Sequence, residues 1–214
     1  MIIYGSTLSP FVRKVVAFAN EKALPFEIKP VGIGDRDPGF LAASPFGKMP
    51  ALDDDGFGLA DSSAICHYLE AKHPDPALIP GDPKLRGRTI WYEEFADTIL
   101  FNCGATIFFN RIVAPRFLGR EGDLAAADKA ERDTLPPLLD YLEALIPASG
   151  FLVGDVLTLA DLAVASPFAN FEHAGVAIDS TTYPRLTAYA AAILARSSFA
   201  ASIEGERGFI AKRA

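Results

Sequence analysis

Cysteine is scarce in this chain, with two in 214 residues. Cys66 and Cys103 stand far apart, each inside a helical pattern, and read as small buried apolar side chains. A chain so poor in cysteine fits a reducing compartment. The three histidines, His67, His73 and His173, do not fall at metal-ligand spacing, and no zinc site is expected. Positive charge is also in short supply. Lys and Arg total 20 against 27 acids, a formal charge of -7, which argues against the basic stripe of a nucleic-acid surface. No apolar run approaches the ~18 residues of a membrane span. The opening Met1-Ile2-Ile3-Tyr4 lacks the charged start of a signal peptide. A cytoplasmic protein with no membrane contact is the expectation. Internal repeats and low-complexity tracts are missing too. Gly32-Ile33-Gly34 is only a fragment of a dinucleotide fingerprint, with no third glycine in place and no helix opening after it.

What is present is apolar patterning: half the residues are hydrophobic, enough for a sizeable core. Met1–Tyr4 reads as a short strand. Ser9 fits a helix N-cap and Pro10 the first helical position, and a helix to about Lys22 carries Val12, Val15, Val16 and Ala19 at helical spacing. Phe26 to Pro30 suggests a second strand, parallel to the first. A short helix falls near Phe40 to Ala43. Asp54-Asp55-Gly56, between two apolar runs, signals a hairpin. Asp61 then caps a helix with Ile65, Tyr68, Leu69 and Lys72 on one side. Four prolines between Pro74 and Pro83 mark a linker. Beyond it helical periodicity dominates: about Lys84 to Arg111, broken near Ala114-Pro115, then Leu124 to Leu145. A capping box, Thr158 to Asp161, follows with Leu157 and Leu162 as its staple, and shorter helices run near Pro184 to Ala195 and Ser198 to Gly205. The pattern predicts a small α/β unit over 1–76 and an all-helical unit over 84–214.

Two stretches carry candidate chemistry. Lys48-Met49-Pro50-Ala51-Leu52 puts a proline at the mouth of a strand, where a cis bond is often found; Met49 would then offer its backbone N–H and C=O to a peptide-like ligand. Asp61-Ser62-Ser63 starts a helix whose free N–H groups suit a carboxylate. A small peptide is the ligand this pairing implies. Upstream, Tyr4, Ser6, Thr7 and Ser9 share one loop. A hydroxyl at a helix N-terminus can donate to an anion, and a thiol-bearing ligand placed there would be held as thiolate, the better nucleophile. Ser9 as no more than a helix cap is the competing reading.

Tyr4 to Lys14, Ser44 to Leu52, Asp61 to Ile65 and Gly150-Phe151-Leu152-Val153-Gly154-Asp155 with its capping box together resemble a glutathione S-transferase, across essentially the whole chain. The resemblance is to cytosolic, bacterial-like, serine-type members. It implies a thioredoxin-like N-terminal domain, an all-helical C-terminal domain and a homodimer. It names glutathione as co-substrate, without a metal, and conjugation to a small apolar electrophile as the activity. Peroxidase or isomerase chemistry, or a non-catalytic carrier or docking role, is the alternative. Carried over by position, Ser9 would stabilise the thiolate, with Ser6 or Thr7 as alternatives. Met49 would pair with the cysteinyl backbone, Asp61 and Ser62 would hold the γ-glutamyl end, and Lys48 would reach the glycine carboxylate. A serine at position 9 disfavours mixed-disulfide chemistry. Two departures stand out: Ser44 where asparagine is common, and Asp61 where glutamate is, so the ammonium contact must reach one methylene further. A subset of Trp91, Tyr92, Phe95, Phe101, Phe108, Phe109 and Phe168 is expected to line the electrophile pocket. Phe46 resembles an aromatic that some members insert into the neighbouring subunit, with packing inside its own chain the favoured reading.

Overall fold

The structure is a computed structural model and describes residues 1–213; Ala214, the end of the expected helical unit, lies outside the described residues. The first part is a four-stranded sheet of order β2-β1-β3-β4, with β1 (Ile2–Tyr4), β2 (Glu27–Lys29), β3 (Ala51–Asp54) and β4 (Phe57–Ala60). β1 runs parallel to β2 and antiparallel to β3, and β3 pairs antiparallel with β4. The hairpin turn is Asp55-Gly56, with φ of 54° and 88°; two positive φ values in a row are what a two-residue turn between right-twisted strands demands. Strand alternation sends Ile3 and Leu52 to the main core and Tyr4 and Ala51 to a smaller one with Phe40. Tyr4 therefore leaves the hydroxyl-rich loop: its ring packs on Phe40, centroids 6.1 Å apart.

Helix α1 (Pro10–Glu21) and α3 (Ser62–Lys72) cover one face of the sheet, and α2 (Pro38–Ala43) packs on β3 and β4. In α3 the buried residues are Ser62, Ile65, Cys66, Leu69 and Glu70. Of the side expected to carry Ile65, Tyr68, Leu69 and Lys72, Tyr68 is only half-buried and Lys72 is exposed. Tyr68 donates to Asp54 Oδ2 at 2.7 Å and Lys72 pairs with the same carboxylate, because a helix lying on a sheet edge turns one flank toward the strand ends.

The linker is tied down at several points. Lys22 Nζ donates to the carbonyls of His73 and Pro76, each at 2.7 Å, and pairs with Glu70 at 2.7 Å. Glu70 in turn accepts the amides of Leu78 and Ile79, both buried.

The helical part comprises α4 (Pro83–Glu94), α5 (Phe101–Phe108), α6 (Ala114–Phe117), α7 (Leu124–Lys129), α8 (Leu135–Leu145), α9 (Leu159–His173), α10 (Pro184–Leu194) and α11 (Ser197–Ala211). π-helical turns at Phe95–Leu100 and Phe109–Val113 weld α4, α5 and α6 into one run, and another at Ala130–Thr134 joins α7 to α8. The expected break at Ala114-Pro115 is thus displaced to Leu118. The π turn just before Pro115 already shifts the hydrogen-bond ladder, so a missing N–H there leaves no gap. Among the described residues no single helix is long and apolar enough to cross a membrane; α10 and α11 reach that only jointly, across an 89° bend.

α9 is the spine, with every residue from Leu159 to Phe171 buried. Its capping box forms: Asp161, fully buried, accepts the amides of Thr158 at 2.9 Å and Leu152 at 2.8 Å. Burial pushes the Asp161 carboxyl up, against the pull of those amides. α1 packs on the sheet side against α3 and on its other side against α9 and α11. It is therefore buried all round, and Arg13 and Lys14 are enclosed along with the valines.

Candidate functional site

Gly5 ends β1, and a Cβ there would lie 2.5 Å from Val12 Cγ2; the loop that follows therefore folds back closely over α1. Ser9 takes the N-cap position of α1 by its backbone, with φ −77° and ψ 124°, but its side chain makes no cap hydrogen bond. Its N–H donates to Ser6 C=O at 2.9 Å. The hydroxyl is left free for another partner, as are those of Ser6 and Thr7 among the described residues. The cap-only reading of Ser9 does not describe this geometry.

The Met49–Pro50 bond is cis. Ser44, 1% exposed, ties the loop before it: its hydroxyl donates to Lys48 C=O at 2.7 Å and accepts Lys48 N–H at 3.0 Å. Among the described residues neither N–H nor C=O of Met49 is engaged by another group. Asp61 sits at φ 82°, an uncommon place for a residue with a side chain and one that draws attention to the position. Its Oδ1 accepts the amides of Ser63 at 2.9 Å and Ala64 at 3.0 Å. Two of the helix-start N–H groups expected to await a carboxylate are therefore already taken. The N–H of Ser62 and Asp61 Oδ2 remain.

Lys48, Met49, Asp61 and Ser62 line a single cleft of about 510 Å³, with Phe11 and Phe46 on its wall. Ser9 is not among its lining residues; Phe11, two positions on, is. Pro10 fronts a second, smaller hollow with Phe101, Phe108 and Asn170, and the Phe11 and Phe101 rings meet at 4.4 Å between centroids. Of the other aromatics expected near an apolar pocket, Tyr92, Phe95 and Phe168 are core residues, and Trp91 is 49% exposed and donates to Tyr141 Oη at 3.0 Å. Phe46 overturns its favoured reading: it is 90% exposed rather than packed in its own chain, because the Ser44 tether holds the loop's backbone while its tip faces outward.

The helical part supplies Glu94, Asp97 and Thr98 to the cleft, and none of these stood out in the sequence. Asp97 lies in the π turn after α4 and accepts the hydroxyls of Ser63 at 3.3 Å and Ser62 at 3.4 Å. Behind it the buried Lys14 ammonium pairs with Glu93 Oε1 at 2.9 Å and with Asp97. Burial opposes the charge on Lys14, but the two carboxylates outweigh it and raise its pKa. Burial also pushes the Asp97 carboxyl up, against the pull of that ammonium. The lining of the cleft thus includes one cation, Lys48, and the acids Asp61, Glu94 and Asp97. Charges of both signs suit a zwitterionic ligand. Among the described residues no group of three or more His, Cys, Asp or Glu is placed to hold a metal ion.

A fold of this kind, with an acid-lipped cleft between a small sheet and a helical bundle, defines a two-part small-molecule-binding class. The sequence matches the family model for the glutathione S-transferase N-terminal domain over residues 3–77 and that for its C-terminal domain over 109–204. It is 34% identical to a glutathione S-transferase of Hyoscyamus muticus, across 95% of this chain and 98% of that one. To glutathione S-transferase 3 of Zea mays it is 36% identical, over 74% and 72%. The fold superposes with a TM-score of 0.83 at 26% identity on glutathione S-transferase I from mais, solved in complex with an atrazine glutathione conjugate, covering 95% and 96% of the two chains. The chain belongs to the glutathione S-transferase family.

Proposed function

We propose that this protein is a cytoplasmic glutathione transferase of the serine type, joining the thiolate of glutathione to small apolar electrophiles. The observation that carries the reading is the gathering of Lys48, Met49, Asp61 and Ser62 on one cleft. In this reading the unpaired backbone of Met49 takes the cysteinyl unit. The Ser62 N–H and hydroxyl take the γ-glutamyl carboxylate, with Asp61 Oδ2 and Asp97 on its ammonium. Lys48 takes the glycine carboxylate. The free hydroxyl of Ser9 donates to the sulfur, so the thiol proton leaves to solvent and the thiolate attacks the electrophilic carbon as its leaving group departs. The Phe11–Phe101 pair and the hollow beside Pro10 offer the apolar surface for that electrophile. The bacterial-like subclass expected from the sequence is part of the same proposal, and so are the domain limits of 1–76 and 84–214.

Ser9→Ala should leave glutathione affinity by calorimetry within about twofold of wild type while lowering kcat by roughly 10²-fold, the scale of losing one donor to a developing anion. Unchanged kcat and unchanged thiolate absorbance would move the role to Ser6 or Thr7. No glutathione binding at millimolar concentration in the wild type would favour the carrier or docking alternative.

We also propose a homodimer. Phe46 at 90% exposure is a large apolar side chain with nothing of its own chain over it, the kind of anchor an interface covers. Phe46→Ser should weaken self-association at least tenfold in sedimentation equilibrium; identical sedimentation of both proteins at low concentration removes Phe46 from the interface.

A further inference from the structure

The backbone on both sides of Ser9 is held by one helix from the other half of the molecule. Asn170 Nδ2 donates to Leu8 C=O at 2.8 Å, and Ser166 Oγ donates to Pro10 C=O at 2.8 Å. Both side chains are buried, at 4% and 1% exposure, and both lie on α9, one turn apart. Residues four apart on a helix lie on one face, so the two bonds grip Leu8 and Pro10 from the same side. Among the described residues, Ser9 is otherwise fixed only by its N–H to Ser6 C=O and by Arg13 N–H to its own carbonyl at 3.0 Å.

The orientation of Asn170 is itself determined. Arg13 Nη1 lies 2.9 Å from Asn170 Oδ1 and 2.7 Å from Ser166 C=O. A guanidinium only donates, so the amide oxygen must face Arg13 and the amide nitrogen must face Leu8. Arg13 is set in turn by a two-point pair with Glu206, Nε to Oε1 at 2.9 Å and Nη2 to Oε2 at 2.7 Å, and His173 Nε2 meets the same Oε2 at 2.9 Å. Burial alone would push the Glu206 carboxyl up; the bond to His173 and the charge of Arg13 outweigh it and hold it below its ordinary value. The chain of bonds therefore runs from α11 through α1 and α9 to the half-buried loop of Ser9, with Glu206, Arg13, Ser166 and Asn170 themselves buried.

We infer that Asn170, with Ser166, is a positioning residue for the thiolate-stabilising hydroxyl: it holds the Ser9 loop at the distance the sulfur requires, and Arg13 and Glu206 keep its amide the right way round. The inference rests on the reading of Ser9 given above. A donor aimed in advance at a developing anion loses its effect when displaced by a fraction of an ångström to an ångström. Asn170 touches no part of the peptide in this scheme; it also edges the hollow beside Pro10, so its effect on Ser9 is read from the thiol pKa with glutathione alone, before any electrophile is present.

Asn170→Asp separates orientation from packing. The shape is kept and the bond from Arg13 is strengthened, but a carboxylate oxygen now faces the Leu8 carbonyl, acceptor against acceptor. The pKa of enzyme-bound glutathione, followed by thiolate absorbance across pH, should rise by about one unit, which is about tenfold less thiolate at neutral pH. The kcat should fall by a similar factor near neutrality and recover at alkaline pH, with KM for glutathione within about twofold. A role confined to stability would lower the melting temperature and leave the thiol pKa where it was. Ser166→Ala, which removes the bond to Pro10 but keeps the Ser166 carbonyl for Arg13, should shift the pKa in the same direction by less; it decides the matter if Asn170→Asp does not fold. Ser9→Ala is the reference. If it moves the bound-thiol pKa and a folded Asn170→Asp or Ser166→Ala does not, the positioning role is overturned and the Ser9 reading stands. If Ser9→Ala itself leaves the pKa unmoved, both are overturned together.

Discussion

Arg13→Met should lower the unfolding free energy by about 3–5 kcal/mol, the range for stripping one partner from a buried ion pair. Arg13 is fully buried and Glu206 is 2% exposed. The substitution removes both bonds to the carboxylate and the donors to Ser166 and Asn170, leaving Glu206 enclosed with only His173 beside it. The penalty comes from the stranded acceptors more than from any net worth of the pair, since a buried pair roughly offsets its own desolvation. The double variant Arg13→Met/Glu206→Met should therefore recover a large part of the loss in denaturant unfolding. The loss should also depend on pH. In the wild type the Glu206 carboxyl is held below its ordinary 4.5, so its ionised form stabilises the fold above that value and the contribution fades as pH falls through the folded pKa. Without Arg13 burial dominates, the carboxyl rises and protonation relieves the variant first. The gap between the two proteins should narrow from pH 7 toward pH 4. A gap of under about 1 kcal/mol at neutral pH, or one that is flat with pH, would mean that the cluster takes up water and that the buried-pair account is wrong.

That cluster also marks where sequence reasoning runs out. Ser9-Pro10, the Asp54-Asp55-Gly56 turn and the Thr158 to Asp161 box were legible because each signal lies within four residues and reports on its own backbone. The candidate cleft was half legible for the same reason: Lys48, Met49, Asp61 and Ser62 belong to two local motifs on adjoining strand and helix ends. Its other wall was not. Glu94, Asp97 and Thr98 come from a helix whose register is shifted by a π turn, so no simple 3.6-residue pattern aims them at Ser62. Arg13 and Lys14 stand among the valines of α1 with no local sign of a partner, because the acids that pair with them are 193 and 79 residues away. A charge inside a helix announces a buried pair only when the other half of the molecule is known to cover that face. Phe46 failed in the opposite sense, an aromatic read as packed in its own chain because the local pattern gives no hint that the loop tip faces outward. Ser44, noted only as a departure from the usual asparagine, proves to be the tether of the loop, since one hydroxyl both donates to and accepts from Lys48.

Lys14→Met should be comparably damaging, about 3–5 kcal/mol, and for a related reason with a different pH signature. Lys14 is 1% exposed and its ammonium lies between Glu93, 1% exposed, and Asp97. Glu93 Oε2 already lacks a hydrogen-bond partner, so removing the ammonium leaves that carboxylate without a hydrogen-bond donor, His67 Nε2 standing 3.8 Å from Oε2, and leaves Asp97 with only the Ser62 and Ser63 hydroxyls to set against its burial and the Glu93 charge. The folded pKa of Lys14 is raised above the ordinary 10.5. Its contribution is therefore complete below that value and is lost only as pH climbs through the folded one. From pH 6 to 9 the wild type should show no change on this account. In the variant the two stranded carboxylates are costly while ionised, so its stability should rise toward acid pH. The Asp97 carboxyl, already pushed up, should move further up, and the cleft should lose negative charge beside Ser62 and Ser63 at a pH where the wild type keeps it. Glutathione affinity should then weaken more at pH 6 than at pH 8, because the ammonium loses its acid as Asp97 protonates, whereas Arg13→Met should leave that dependence unchanged. Denaturant midpoints and calorimetric affinities measured on the two variants across the same pH range separate the cases: equal pH profiles for glutathione binding would show that Lys14 and Asp97 hold the two halves together without tuning the cleft.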